Sequence, residues 1–461
     1  MDSNHIAIGT DRQLFLDDLW VSNPSGVSRV LHTPERREEV LTPDRPWERH
    51  GMPSCVGYFR DGDRYRMWYR CDDSAESNPR FTAYAESKDG INWEKPNLGI
   101  VEYEGSKDNN LVSLGDDGMD LTPFRDDNPN IPDDERYKGI VRPHAGKAVY
   151  AVVSPDGLRW RLMQPEPVMD DPPFDTQNIA FWDTWRREYV FYTRGVRNPT
   201  TEEASEPGMD LFKGGVRWIR RATSNDFVHW SEMESITAGD TPAEQLYTNS
   251  CIQYPRSRGT YMMFPSRFVE DRSPTPGWEA GPGVNDIVFM SSRDGINFDR
   301  SFMEAFIRPG PGMANWHERA VYFDWGLLQT SPTELSMYCQ EHGRLPTAHL
   351  RRYTLRTDGF VSVQAGYEGG EFVTQPLVFD GGELELNYST SAVGSVQVEI
   401  QDVEGNAIPN YGLAECPEKF GDEIEGVMSW KTGKDVGDLA GKPVRLRFVL
   451  KDANLYAFRF R

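Results

Sequence analysis

The sequence predicts an all-β protein, a five-bladed β-propeller across residues 1–367 followed by a β-sandwich across 368–461. Three observations predict it. First, one turn recurs: "SKDGINW" closes at Trp93, "SPDGLRW" at Trp160, "SNDFVHW" at Trp230 and "SRDGINF" at Phe298, with a degenerate "TLRTDGF" closing at Phe360. The closing aromatics step by 67, 70, 68 and 62 residues, and self-similarity at a near-fixed period marks a repeat architecture. Second, a pair of strand-like runs precedes each turn. Third, the pattern after residue 367 changes to strict apolar–polar alternation.

Taken in order, "RQLFLDDLWVS" at 12–22 reads as a strand that comes before the first blade and closes the ring with the fifth. Within the repeats, "RYRMWYR", "REYVFYTRG", "TYMMFPSRF" and "ELSMYCQEH" are each followed by a second run, "FTAYAES", "RWIRRATS", "DIVFMSS" or "LRRYTLR". β-Branched and aromatic residues bounded by turn residues read as antiparallel strands. Four strands in each of five units, closed into a ring, leave no long edge unpaired. The turn's Ser and Asp side chains satisfy backbone donors, and its Trp or Phe packs between neighbouring blades. In the C-terminal region, "PVRLRFVL" sets Val444, Leu446, Phe448 and Leu450 on one face and Arg445 and Arg447 on the other. That is a half-buried antiparallel strand.

Composition narrows the function. A net charge of −22 argues against nucleic-acid and anionic-membrane partners, which call for a basic face. Of 50 basic residues only 11 are Lys. The five cysteines, Cys55, Cys71, Cys251, Cys339 and Cys416, form neither a disulfide framework nor a zinc pattern. Neither a signal peptide nor a run of about eighteen apolar residues is present. The expected location is therefore cytoplasmic for the chain as given, or secreted or periplasmic if a leader is removed. There is no Gly-rich phosphate loop, no G-x-S-x-G elbow and no H-E-x-x-H.

Five blades followed by a sandwich resemble the glycoside hydrolases of family 32, and the propeller looks like the clan that includes families 43 and 68. The stretches "RYRMWYR", "AESKDGINWEKP", "NIAFWD", "LYTNS" and "AHLRRYTLRTDGFVSV" look like the uncharacterised "family 32 N-terminal-like" proteins of environmental bacteria. The resemblance implies an active site in the central funnel, where carboxylates from the first three blades act as nucleophile or base, transition-state stabiliser and general acid. The family's Arg-Asp-Pro is matched by Arg125-Asp126-Asp127, which makes Asp126 the expected stabiliser, held ionised by Arg125. For the acid, "FDTQN" offers Asp175 with Gln177 and Asn178 beside it, and "AEQLYTNS" offers Glu244 with Tyr247 and Asn249; both stay open. Glu415-Cys416-Pro417 matches the family's acid motif in letters but falls in the sandwich.

The family's blade-one Asp is missing from "HGMPSC". Glu48 is the nearest carboxylate, with Asp17 and Asp18 in reserve. Blade five opens with "NWHERAVYF", which puts Asn315, His317, Glu318 and Arg319 at the funnel or its rim, joined by Glu341 and His342. Trp278, in a Gly/Pro loop, is the expected stacking surface at the rim, whereas Trp182, Trp185 and Trp316 are expected to pack between blades. No metal ligand set is expected and no cofactor, although a structural Ca²⁺ is compatible with such a funnel.

The expected function is hydrolysis of a furanoside or small oligosaccharide by paired carboxylates. One alternative is a glycan-binding propeller without catalysis. Another is a phosphorylase-like enzyme in which Arg125, Arg319 and Arg267 converge on phosphate.

Overall fold

A computed structural model describes residues 5–49, 57–72, 80–112, 120–143, 147–198, 214–272, 282–433 and 435–461. The described chain is all-β: strands joined by turns and short 3-10 segments. It forms two compact units. The larger comprises Pro34–Gln253 and Thr260–Thr354; the smaller comprises Met1–Thr33, Tyr254–Gly259 and Leu355–Arg461. This differs from a cut at 367/368, because the first 33 residues group with the C-terminal strands.

The larger unit holds six antiparallel sheets among the described residues, two of which share one stretch of chain and are taken together below as the fourth. The first runs Gly57–Asp61, Arg64–Asp72, Arg80–Ser87 and Trp93–Glu94. The second runs Asp120–Arg125, Tyr137–Arg142, Tyr150–Ser154 and Arg161–Leu162. The third runs Ile179–Asp183, Glu188–Arg197, Val216–Ser224 and Glu234–Ser235. The fourth is split along its length: Gln245–Leu246, Ser266–Val269 and Val284–Ile287 form one half, and Ile252–Gln253, Tyr261–Met263, Met290–Ser292 and Phe298–Asp299 the other. In the fifth, Tyr322–Phe323 and Leu328–Ser331 pair with Glu334–Glu341, which leads to His349–Arg356.

The fifth sheet ends on a strand from the start of the unit. Glu35–Leu41 pairs with His349–Arg356, with Arg36 opposite Tyr353. The expected closing strand at 12–22 does something else. Within it Gln13–Leu14 is a strand opposite Phe458 and Ala457, Asp18–Trp20 is a 3-10 turn capped by the Asp17 carboxylate, and Ser22 begins the strand Ser22–Ser25. Apolar content carries this segment into a core, where Trp20 is fully buried. It does not name the partner. "ERREEVL" forms a strand without apolar alternation because an edge position asks only for backbone pairing.

First strands of different sheets lie side by side. Tyr58 N–H donates to Trp325 O at 3.0 Å, joining the first and fifth sheets. Gln177 Nε2 donates to Phe323 O at 3.0 Å, while its Oε1 accepts from Ser250 N–H and Oγ at 2.9 and 2.7 Å. That one amide ties the third, fourth and fifth sheets together.

The recurrent turn is a clip between sheets. In each copy Ser Oγ accepts from the backbone N–H three residues on (Gly90, Gly157, Phe227, Gly295, all at 2.9 Å). The Asp Oδ1 takes the next two N–H groups, at 2.7–2.9 Å. The residue after Asp has φ near +70°, the region glycine enters at least cost. Its carbonyl is then offered to an aromatic on the second strand of the preceding sheet. Tyr338 OH donates to Gly90 O at 2.5 Å, Trp68 Nε1 to Gly157 O at 2.7 Å and Tyr192 OH to Gly295 O at 2.6 Å. The third copy replaces glycine with Phe227, whose ring fills the gap against Phe124 of the second sheet.

In the smaller unit, Leu384–Gln401 and Arg445–Phe460 pair along most of their length. The register shifts between Thr390 and Ser395, so the "TSAVGS" stretch is an irregularity within one long ladder and not a loop. Val444, Leu446, Phe448 and Leu450 are all buried in the core with Trp20, Phe15 and Cys416. In the fifth turn Asp358 accepts from Tyr254 OH at 2.6 Å and Arg256 Nε at 2.9 Å, so an ion pair replaces the serine bond. No helix among the described residues is long and apolar enough to cross a membrane.

Candidate functional site

The starts of the first strands and the ends of the second strands bring charge together. Asp120 opens the second sheet and accepts from Arg70 Nη1 at 2.9 Å and Arg142 Nη2 at 3.0 Å, each at or near the end of a second strand. Asp175 stands before the third sheet's first strand, 3.2 Å from Arg194 Nη1, with 51% of its side chain exposed. Burial on its own would raise the Asp175 pKa. Arg194, the Thr176 N–H, Arg142 and Arg319 together hold it below the usual carboxylate value. Arg142 and Arg319 come from the second sheet and from the segment leading into the fifth, so the cluster draws on several sheets.

Tyr247 is the floor of this cluster. Its ring carries Arg217 at 4.4 Å, Arg194 at 5.1 Å and Arg319 at 5.6 Å from the centroid, and its carbonyl accepts from Arg194 Nη2 at 2.6 Å. Arg217 Nη1 donates to Gln245 Oε1 at 3.1 Å. Gln245 in turn lines a cavity of about 1320 Å³ on the fourth sheet, bounded also by Glu244, Arg267, Phe268, Asp286, Arg308, Met313 and Trp316. There Arg267 bridges two carboxylates: Nη1 to Glu244 Oε1 at 2.8 Å, and Nη2 to Asp286 Oδ2 at 2.6 Å. Glu244 also pairs with Arg300 at 3.1 Å. Met313 and Trp316 present exposed apolar surface on the same cavity.

The residues expected from the sequence are placed unevenly. Asp126 follows the last residue of Asp120–Arg125, at the opposite end from Asp120. It is buried and saturated, accepting from Lys138 Nζ and Tyr189 OH at 2.7 Å each and from Asn128 N–H at 2.9 Å. Of the two, Asp120 is the one that meets the strand-end arginines Arg70 and Arg142. Arg125 lies at that same far end, 3.8 Å from both Asp61 and Asp127. It does not meet Arg267, which is occupied by Glu244 and Asp286, or Arg319, which pairs with Glu318 at 2.9 Å.

Glu48 is fully buried and caps its own turn, accepting from Asp44 and Arg45 N–H, Tyr69 OH and Lys95 Nζ. Gln177 is consumed by the bonds between sheets described above. Asn249 Nδ2 donates to Gln177 O at 3.0 Å, and Asn178 Oδ1 accepts from Thr193 Oγ1 at 2.6 Å. Asn315 is buried between Pro309 O and His342 N–H. Glu318 pairs with Arg319 and Arg344, and the His342 ring stands edge-on to His349. Trp278 and the "HGMPSC" stretch from His50 to Cys55 lie outside the described residues. Trp316 and Trp185, expected to pack between blades, are exposed; Trp182 packs on Tyr189.

One signal could have found the arginines. "RYRMWYR", "YKGIVR", "EYVFYTR" and "MMFPSR" all end in Arg, giving Arg70, Arg142, Arg194 and Arg267 at the same place in four successive repeats. Among the described residues no three His, Cys, Asp or Glu side chains gather as a metal-ligand set.

No family model matches the chain. An uncharacterised protein of Mycobacterium tuberculosis, Rv1502, is 28% identical over 146 residues, which is 30% of this chain. The match spans 42% of that relative's length. Similar solved structures include a fructofuranosidase from Schwanniomyces occidentalis complexed with fructosylnystose (11% identity, 93% of this chain and 98% of that one, TM-score 0.44). An exo-inulinase from Aspergillus awamori gives 12% identity, 91% and 99% coverage and a TM-score of 0.41. The catalytic domain of an α-L-arabinofuranosidase from Coprinopsis cinerea gives 11%, 71% and 98%, and 0.46.

Proposed function

We propose that the five sheets are the blades of a closed propeller and that the protein is a glycoside hydrolase acting on a furanoside or small oligosaccharide. The observation that carries this reading is the cavity in which Glu244 and Asp286 share one guanidinium beside the apolar faces of Trp316, Phe268 and Met313. Two carboxylates bonded to one guanidinium are neighbours, and glycosidase pairs work over a separation of ~5–10 Å, either directly on the anomeric carbon or through a water. An aromatic face beside them matches the CH-rich face of a sugar. Asp175, kept ionised by Arg194, would favour a developing oxocarbenium ion.

The test is product release from a panel of fructans, arabinans and other furanosides, with the anomer of fresh product read by NMR. Glu244→Gln and Asp286→Asn should each lower turnover by about 10²-fold or more, the range for loss of a catalytic acid or base. Turnover that survives both substitutions removes the pair from the mechanism.

A second reading, a glycan-binding propeller without hydrolysis, is favoured by one observation. Every described carboxylate whose pKa departs from its ordinary value departs downward, Asp175 included, whereas a proton donor at neutral pH needs the opposite shift. Binding on a glycan array with no product from any substrate would establish that reading.

A further inference from the structure

Three successive junctions between sheets share one device. A carboxylate at or just past the end of a first strand accepts from a tyrosine at the start of a strand in the next sheet: Tyr137 OH to Asp61 at 2.5 Å, Tyr189 OH to Asp126 at 2.7 Å, and Tyr261 OH to Asp183. A cation completes each junction, Arg66, Lys138 and Arg186 in turn. The two arginines do more. Arg66 lies 4.9 and 5.0 Å from the ring centroids of Trp68 and Tyr137, and Arg186 lies 4.5 and 5.3 Å from those of Trp185 and Tyr261. Each then donates from Nη2 to a carbonyl of the next sheet's recurrent turn, Arg66 to Asp156 O at 2.6 Å and Arg186 to Arg293 O at 3.3 Å. At the middle junction the Lys138 Nζ is taken up by Asp126 and Tyr189 OH, at 2.7 and 3.1 Å. Among the described residues no guanidinium donates to Asn225 or Asp226 of the third turn. A cavity of about 690 Å³ opens there instead, lined by Asn225, Asp226, Lys138, Glu135, Trp182 and Arg187 among others.

We propose that this cavity binds a small molecule carrying a guanidinium group, which takes the place that Arg66 and Arg186 fill at the neighbouring junctions. A guanidinium stacks on an aromatic face while its in-plane N–H groups donate outward. Trp182, half-buried and held against Tyr189 at 4.8 Å, supplies the face, and the carbonyls of the third turn supply the acceptors. The Lys138 charge does not oppose such a ligand, because Asp126 at 2.7 Å and Glu135 at 3.7 Å answer it. Arg187 is exposed on the same cavity with no ion-pair partner among the described residues, and it selects a ligand with a carboxylate at its other end. The ligand class is therefore an α-amino acid of the arginine type. This site shares no residue with the cavity of Glu244 and Asp286 and does not rest on the carbohydrate reading.

The experiment is calorimetric titration of the full chain with L-arginine, its uncharged isostere L-citrulline, and agmatine, which is arginine without the carboxylate. L-Arginine should bind about tenfold or more tighter than L-citrulline, and about threefold or more tighter than agmatine. Lys138→Arg copies the neighbouring junctions; it should fill the cavity and lower the affinity for L-arginine about tenfold or more, with the thermal midpoint kept or raised. Trp182→Ala removes the stacking face and should weaken L-arginine about threefold to tenfold, which keeps the test open if Lys138→Arg does not fold. Equal affinity for L-arginine and L-citrulline, or no binding of any of the three at millimolar concentration, overturns the proposal. So does an unchanged affinity for L-arginine in either folded variant. Agmatine binding as tightly as L-arginine overturns the part given to Arg187.

Discussion

Gly157→Ala isolates the clip between the first and second sheets. Gly157 has φ +76°, and a Cβ there would lie 2.8 Å from Trp68 Cζ2 and 3.2 Å from Arg66 Nη2. Trp68 cannot retreat: it is fully buried, stacked on Phe59 at a centroid distance of 5.0 Å, and its Nε1 donates to the Gly157 carbonyl itself. The left-handed backbone costs an L-residue roughly 1–2 kcal/mol. Overpacking against a fixed ring adds about 1–3 kcal/mol. The expected loss is therefore ~2–5 kcal/mol. Gly62→Ala is the control, because Gly62 has φ +64° with nothing within 4 Å of its Cβ position. It should lose only the backbone part, ~1–2 kcal/mol. Urea unfolding of the full chain, followed by tryptophan fluorescence, reads both. Losses that agree to within about 0.5 kcal/mol, the error of such comparisons, would mean the turn does not press on its neighbour and the clip is wrongly drawn.

Glu341 is buried and accepts from Arg36, Arg351, Tyr353 and the His349 ring. Burial opposes ionisation there, but His349, Arg36, Tyr353 and Arg351 pull its pKa far below the usual value. Its contribution is therefore complete above the unfolded-state value of about 4.3 and erodes as the pH falls below it. Glu341→Gln should cost about 3–5 kcal/mol at pH 7 by leaving buried guanidiniums unanswered, and should flatten the acid limb of a pH–stability curve; an unchanged limb refutes the assignment. Asp126→Asn should also cost about 3–5 kcal/mol, since Lys138 is buried against it, yet leave sugar binding at 25 °C intact in the folded protein. A selective loss of binding at full stability would return Asp126 to the site. Trp316→Ala, at a ring 41% exposed, should weaken oligosaccharide binding about fivefold with stability held within about 0.5 kcal/mol. Undiminished affinity would remove the apolar side of the pocket.

The sheet order and the turns were legible because they are written in local chemistry: Ser and Asp at fixed offsets need only the next few N–H groups. Partners at a distance were not. The closing role expected of residues 12–22 falls to Glu35–Leu41 instead, because apolar content reports burial and not which strand lies alongside. In the C-terminal unit "TSAVGS" carries turn residues, yet the ladder absorbs them as an irregularity. Asp175, Glu244, Tyr247 and Arg319, expected from their places in the repeat, fall in the charge clusters of the candidate site. Asp126, expected from its Arg-Asp match and its place in the repeat, lies at the far end of Asp120–Arg125 from Asp120. Asp286 and Arg217 escaped altogether, since a third strand carries no mark in sequence of which first strand it will face.

The pairing of Glu35–Leu41 with His349–Arg356 has a consequence for how the chain is made. Arg36 is synthesised some 300 residues before Tyr353 opposite it, a delay on the order of 15–60 s at ordinary translation rates. Throughout that interval the strand is an edge with no mate, the condition under which β-segments find wrong partners. Its composition answers the hazard. Five consecutive charged residues, Glu35 to Glu39, make burial against an apolar wrong partner costly, while Arg352 and Arg351 wait on the true partner to receive Glu38 and Glu39. The same ion pairs that look incidental in the finished sheet are thus a password, legible only to the strand that arrives last.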